Sequence, residues 1–463
     1  MSNFARKPNP WLAVFILTLG LSAPVSAAET DLVKTTPDQI KDQAADKPQK
    51  ITLPNPLTLD YVLAHALNEH PQIQMQQVRI NQIRAQQQLQ SSTDKTQLNL
   101  VGRLGWRDYA DQTEKYNLAA LQLTQKIYDF NQSGLLTESL NTKQQAQQML
   151  VIESEKQLKL QIMQAFFNVL LADFQYRIDN EAMAVAYIKF DKAEDMYELS
   201  RISDVEFLEI ETEYEQILTT RTRSENRQLK SRIALVNLMG LPYARPDELT
   251  LPKLNEYSNR DVEELELASL QKQVTESNRE LQFFKQQIQA GLLEMQSKQA
   301  QGKPTISLDA RAGQLSSYPE IREGHWSVGL LVDVPLYDGG SVDAKVSQAK
   351  ANVQELDAQM KLKEQLLRDE VSDLYFQLRM LKSEQAQNQK FGDYSDLYLD
   401  YSRALYENES TADLGDAMVR LSQANYNQID WEFRQALLWT KLDLLMAKPL
   451  FDADDVQQPQ AMR

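Results

Sequence analysis

No proline interrupts the chain between Pro71 and Pro242, and none between Pro335 and Pro449. Proline is the residue a helix interior tolerates least, so each stretch is free to form helices of unusual length. The two stretches are also related. Lys-Ile-Tyr-Asp-Phe-Asn at 126–131 returns as Pro-Leu-Tyr-Asp-Gly-Gly at 335–340, with tyrosines and aspartates 209 positions apart (337 − 128, 338 − 129). Lys95 and Lys303 are 208 apart (303 − 95), as are Leu100 and Leu308. Asp204 and Asp413 stand 209 apart (413 − 204). Each half closes alike, on Asn-Leu-Met-Gly-Leu-Pro at 237–242 and Leu-Leu-Met-Ala-Lys-Pro at 444–449. Matches that stay in register over most of the length mark an internal duplication. The first repeat runs over 57–242 and the second over 263–449, joined by a linker at 243–262.

Each repeat reads as a helix, a β-hairpin (about 97–128 and 304–337), a very long helix and a further helix. Gln72 to Gln90 carries helical periodicity without Gly or Pro. A continuous helix from Asn131 to Arg201 would measure about 105 Å, at roughly 1.5 Å per residue. In the second half Val342, Val346, Ala349, Val353, Leu356 and Met360 step by four and three, and Leu367, Leu374, Leu378 and Leu381 continue the seam. Such heptad spacing packs helices as coiled coils.

The hairpins alternate. Leu98, Leu100, Leu104 and Trp106 share one face, opposite Asn99, Arg103 and Gly105, with Val101 an exception. Ile306, Leu308, Ala310 and Ala312 oppose Ser307, Asp309, Arg311 and Gly313. Trp326, Val328, Leu330, Val332, Val334 and Leu336 oppose Ser327, Gly329 and Asp333. Ala119, Leu121, Leu123 and Ile127 alternate less cleanly. A strand in a membrane barrel needs about 9–11 residues, one face to lipid and one to water. Trp106, Tyr109, Tyr116, Tyr128, Trp326 and Tyr337 sit near the run ends, where a barrel carries its aromatic girdles. Four strands leave open edges, which lipid does not tolerate. If they enter a membrane, several copies must close the barrel together.

The N-terminus reads as a secretory signal peptide over 1–28: Arg6 and Lys7, the short apolar run Trp11 to Leu21, then Val25-Ser26-Ala27. A flexible segment follows at 29–56, and a tail at 450–463 ends the chain. With a formal net charge of −16 and no basic block, nucleic acid is not an expected partner. There is no cysteine, and His65, His70 and His325 form no ligand spacing, so no cofactor or metal is expected. No nucleophile motif or phosphate-binding loop suggests an enzyme.

The chain resembles the TolC family of outer-membrane efflux proteins. The residues that carry this are LTLDYVLAHALNEHP at 57–71, the doubled Tyr-Asp turn with VDVPLYDGGSVDAKVSQAKA at 332–351, and LMGLP at 238–242. The resemblance implies a mainly α fold with a membrane β-barrel portion. Coiled-coil helices would form a periplasmic tunnel, and four strands per protomer would build a trimeric twelve-stranded barrel. It implies a homotrimer in outer-membrane lipid. The trimer would act as a passive duct with a periplasmic adaptor (membrane fusion) protein and an inner-membrane transporter of RND or ABC type. The competing reading is a periplasmic coiled-coil adaptor or scaffold without a barrel.

Site expectations follow. Tyr128, Asp129, Tyr337, Asp338, Gly339 and Gly340 form the strand-to-helix turns, with the aspartates as caps and the glycines allowing the bend. Phe130-Asn131 replaces the glycine pair in the first half, which predicts a less sharp bend there. At the opposite end the resemblance implies a periplasmic constriction. Asp413 and Asp416 match an Asp-x-x-Asp pattern there, which in a trimer becomes stacked carboxylate rings favouring cations. Asp204 and Asp413 also fit plain helix caps. Glu409 stands where the family has a basic residue, which leaves Arg403 and Tyr406 as candidates for a closing contact.

Overall fold

The computed structural model describes residues 53–65, 70–108, 113–115, 118–241, 243–315, 324–407 and 414–448. The signal peptide, most of the 29–56 segment, the 450–463 tail, Glu409 and Asp413 lie outside the described residues.

The first half begins with α1 (Leu59–His65) and α2 (Pro71–Asp94). Next come β1 (Gln97–Arg103), β2 (Trp106–Asp108), β3 (Thr113–Lys115) and β4 (Leu118–Tyr128). It ends with α3 (Gln132–Glu198) and α4 (Asp204–Leu238). After a one-turn α5 (Asn255–Ser258), the second half repeats the order: α6 (Leu267–Ser277), α7 (Arg279–Ala300), β5 (Thr305–Leu315), β6 (Gly324–Asp333), α8 (Ser341–Glu407) and α9 (Leu414–Leu445). α3 and α8 have 67 residues each, hence about 100 Å apiece.

The first break in each half sits at matching positions 208 apart (278 − 70). His70 caps α2 by accepting from Gln72 N, and Asn278 caps α7 by accepting from Glu280 N and Leu281 N. Both caps are buried, and burial pushes the His70 imidazole pKa down.

The four long strands form one antiparallel sheet in the order β1-β4-β5-β6. Leu98 lies opposite Leu123, Leu121 opposite Ala312, and Ala310 opposite Val328, so the apolar positions share one face. That face is uncovered in the single chain, with Leu100 at 78% and Trp326 at 73% exposure. The first hairpin is interrupted: β1 stops at Arg103, and β2 and β3 pair separately. β6 stops at Asp333, so Val334 and Leu336 fall outside the strand. Pro335 has no N–H to extend the ladder.

The core lies where α3 and α9 cross. Phe167 of α3 stacks on Phe433 of α9 at 4.2 Å between ring centroids. Ile162, Met163, Phe166, Leu235, Val274, Leu374 and Leu442 surround them. The linker is strapped to this region. Leu57 and Leu249 form a parallel bridge. Arg232 makes a two-pronged pair with Asp173 and donates to the carbonyls of Pro246 and Asp247. Arg260 pairs with Asp443 at 2.5 Å and lies over the Tyr257 and Trp439 rings.

α8 buries one stripe, made of Ala349, Leu367, Val371, Leu374, Leu378, Leu381, Ser395 and Ser402. Of the heptad seam read from the sequence, Ala349, Leu367, Leu374, Leu378 and Leu381 are buried, Val342, Val346, Val353, Leu356 and Met360 are half-buried, and Val371 fills the gap between Leu367 and Leu374.

Candidate functional site

The two ends of the long helices carry the polar features. At the sheet end, β4 runs into α3 through Phe130 and Asn131, and β6 reaches α8 through Gly339 and Gly340. All four residues have positive φ: 51° and 67° in the first half, 66° and 82° in the second. Phe130 and Asn131 thus share the left-handed φ of the glycine pair. Asn tolerates the left-handed region better than most residues. Phe130 is held there with its ring 4.9 Å from Tyr128 and with the Lys303 ammonium 5.7 Å from its centroid.

The aspartates of the two turns sit in different surroundings. Asp338 accepts from Gly340 N at 2.9 Å and Val342 N at 2.7 Å, and these bonds hold its carboxyl below the usual range. Asp129 is buried. It accepts from Ser133 N at 3.0 Å and lies 3.5 Å from Lys126 Nζ, which also reaches Asp94 at 3.3 Å. Burial pushes the Asp129 carboxyl up, but the Ser133 bonds and the Lys126 charge outweigh it and leave the group below normal. Tyr337 is 91% exposed in the single chain, and Tyr128 51%.

Between these turns the sheet's second face is polar. Gln122 Nε2 donates to Asp309 at 2.5 Å, and Arg311 Nε lies 3.0 Å from the same carboxylate.

At the far end, Ser203 and Glu206 close a reciprocal capping box on α4. Glu206 Oε2 accepts from Ser203 N at 2.9 Å. Asp204 is the first residue of that helix and is exposed. Asp416 sits in the first turn of α9, 2.8 Å from Arg420 Nε one turn on. The Arg420 guanidinium in turn lies 5.3 Å from the centroid of Tyr398 on α8. Gly415 lets this turn approach α3, since a Cβ there would meet Val185 Cγ2 at 2.5 Å. Arg403 is 3.8 Å from Asp400, one turn earlier on its own helix, and Tyr406 is 63% exposed. The sequence reading passed over Arg420 and Tyr398. Its available signal was the i, i+4 spacing of Asp416 and Arg420. Among the described residues no group of acidic, His or Cys side chains could hold a metal ion. Among the described residues no helix is long and apolar enough to cross a membrane.

A sheet with one apolar and one polar face, borne on helices of about 100 Å, defines a class: the channel-tunnel fold. Comparison with known proteins agrees. The family model for "Outer membrane efflux protein" matches residues 270–448. Outer membrane protein TolC of Escherichia coli (strain K12) is 24% identical over 265 residues, 54% of this chain and 52% of the relative. The chain spans about half the length of the curated relatives it matches. The Campylobacter jejuni CmeC outer membrane channel superposes with a TM-score of 0.68 at 12% identity, covering 84% of this chain and 85% of that one. CusC gives 0.66 at 17% identity, covering 84% and 92%. The chain is thus similar to outer membrane efflux proteins in sequence over its second half, and it shares the fold of solved outer membrane channels over most of its length.

Proposed function

We propose that the protein is the passive exit duct of a tripartite efflux or type I secretion system. It works as a homotrimer, opened by a periplasmic adaptor and an inner-membrane transporter of RND or ABC type. The observation that carries this reading is the open-edged sheet, apolar on one face and polar on the other. One chain supplies four long strands, whereas membrane barrels have at least about eight, so further copies must complete the wall. Three copies give twelve strands, as the resemblance to the TolC family implies. The helices then continue the barrel as a tube into the periplasm.

In this reading Tyr128 and Tyr337 mark the membrane interface, where an amphipathic ring is favoured. The ends of α3 and α8 form the entrance. Asp413 and Asp416 line it as acidic rings that favour cations, with Asp204 on the outer pair of helices. Arg403 and Tyr406 are candidates for contacts that hold the entrance closed. The Asp416–Arg420 pair tempers the charge of one ring.

The chain has no cysteine, which makes the test direct. A cysteine at Asp111, in the expected outer hairpin tip, should react with a membrane-impermeant maleimide on intact cells. A cysteine at Thr411, in the expected periplasmic turn, should react only after the outer membrane is opened. If neither reacts until then, no hairpin reaches the surface, and the periplasmic scaffold reading replaces the duct. Conductance of the purified protein with Asp413→Asn and Asp416→Asn then tests the rings: cation preference should fall.

A further inference from the structure

The last helix of each half ends alike. Counted back from their prolines, α4 and α9 align at an offset of 207: Arg227 with Arg434, Leu235 with Leu442, Met239 with Met446 and Pro242 with Pro449 (449 − 242). Each closes on a residue in the left-handed region, Gly240 at φ 71° and Ala447 at φ 57°. Each has the closing bond of a Schellman motif, Leu241 N to Val236 O at 2.8 Å and Lys448 N to Asp443 O at 2.9 Å. The offset holds beyond the prolines. Asp247-Glu248-Leu249 returns as Asp454-Asp455-Val456, and Pro252 as Pro459 (459 − 252). In sequence, the segment after Pro449 repeats the start of the linker.

In the first half that stretch is a strap. Leu57 N donates to Glu248 O at 2.8 Å, and Thr250 N donates to Leu57 O at 2.9 Å, which makes the parallel bridge of Leu57 and Leu249. Leu57 is 0% exposed, and Leu59, the first residue of α1, is 6% exposed. Their duplicates 208 positions on are Leu265 (265 − 57) and Leu267, the first residue of α6. These two are only half-buried. The strap also crosses Arg232, through the carbonyls of Pro246 and Asp247, while Gln228 donates to Asp173 at 2.9 Å. The counterparts of Arg232 and Gln228, 207 on, are Trp439 and Gln435, and that of Asp173, 209 on, is Lys382. These three line one cavity, together with Arg260 and Asp261.

We propose that residues 450–458 form a second strap, laid over the start of α6 in the register of the first. Val456 lies opposite Leu265 as Leu249 lies opposite Leu57, and Ala453 and Asp454 cross the cavity at Trp439. The reach is equal in both halves, seven residues from proline to bridge (249 − 242, 456 − 449). The departure point is fixed, because Lys156 Nζ of α3 donates to Lys448 O at 2.6 Å. Leu265 N already donates to Val262 O at 3.1 Å. The second bridge therefore has one bond, Gln457 N to Leu265 O, where the first has two. Its apolar contribution is to bury Leu265 and Leu267 as the first strap buries Leu57 and Leu59. The inference does not rest on the duct reading.

The test uses the cysteine-free full chain. Bridged residues in neighbouring strands lie about 5 Å apart, and a disulfide needs Cα atoms within about 7 Å. Leu265→Cys with Val456→Cys should therefore link on mild oxidation. The product should keep the mass of one chain on a denaturing gel. Trypsin should release a joined pair of peptides that separates on reduction. Leu265→Cys with Asp454→Cys, or with Gln458→Cys, should link several-fold less. As a second readout, Leu265→Cys alone should react with a maleimide several-fold faster when the chain is stopped after Pro449. A shifted pair that links best overturns the register. A link that joins two chains assigns the segment to a neighbour and overturns the strap within one chain. Equal maleimide rates with and without residues 450–463 overturn the strap altogether. None of these results bears on surface labelling at Asp111→Cys, so the duct reading stands or falls separately.

Discussion

Asn131 and Gly340 stand 209 positions apart (340 − 131), and both hold left-handed backbone at the entry to a 67-residue helix. Asn131 makes no side-chain cap bond, so Asn131→Gly sacrifices no hydrogen bond at that cap. We expect it to stabilise the protein by under about 1 kcal/mol, and Gly340→Val to destabilise it by about 1–2 kcal/mol. Midpoints of urea unfolding would show the opposite signs. Equal loss in both variants would mean that conformation is not what selects residues here.

Gly313 should tolerate nothing larger. A Cβ there would lie 2.3 Å from Ala119 O and 2.7 Å from Ala120 Cα, on a backbone with φ 145°. Gly329, in the neighbouring strand, has nothing within 4 Å. Gly313→Val should abolish the assembled species on semi-native gels, and Gly329→Ala should leave it unchanged. Assembly of the Gly313→Val protein would show that β4 and β5 can separate without loss of the sheet.

Arg232 is the strap between the linker and α3. Its guanidinium holds Asp173 with both nitrogens and reaches two linker carbonyls. Arg232→Ala should cost about 2 kcal/mol, the scale of charge-assisted bonds lost from a half-buried site. Limited proteolysis should then cut within 243–254 faster than in the parent. An unchanged digestion pattern would assign the strap to Leu57 and Leu249 instead.

Glu153 of α3 is buried, with Gln157 Nε2 as a hydrogen-bond partner at 3.4 Å. Burial, and secondarily the nearby Glu280 charge, raise its pKa despite the opposing pull of Arg279. A carboxyl with a raised folded pKa destabilises the fold when ionised. That penalty is present above the folded pKa and disappears as pH falls through it towards the unfolded value. Glu153→Gln should therefore melt higher than the parent at neutral pH, and the gap should narrow as the buffer is made acidic. A gap that widens on acidification would contradict this sign.

The hairpins and the long helices were legible because each shows a single period. The strands alternate with one apolar face, and α8 carries one heptad seam, so pattern and packing agree. α3 was harder to read. From Leu158 to Ala172 most of its residues are buried, so no stripe remains to say which neighbour lies where. The break at Asn278 has no Gly or Pro to announce it, and only its alignment with His70 would have done so. The early end of β1 follows from Leu104-Gly105, which the alternation alone carried through to Trp106. At the far end Asp416 was read for its charge alone, although Arg420 stood one helical turn away. The two left-handed turns show the limit of reading residue type as conformation, since Phe130 occupies a place that Gly339 fills without strain.

Each long helix leaves its turn without a further break until the opposite end of the molecule. It is therefore a lever as well as a wall. Over about 100 Å, a tilt of two degrees at the sheet moves the far end by roughly 3.5 Å, more than the width of a water molecule. An aperture at that end can be dilated without melting a hydrogen bond along the way. Whatever grips the tips needs to supply only a small angle, and the turns at Asn131 and Gly340 are where that angle would be taken up.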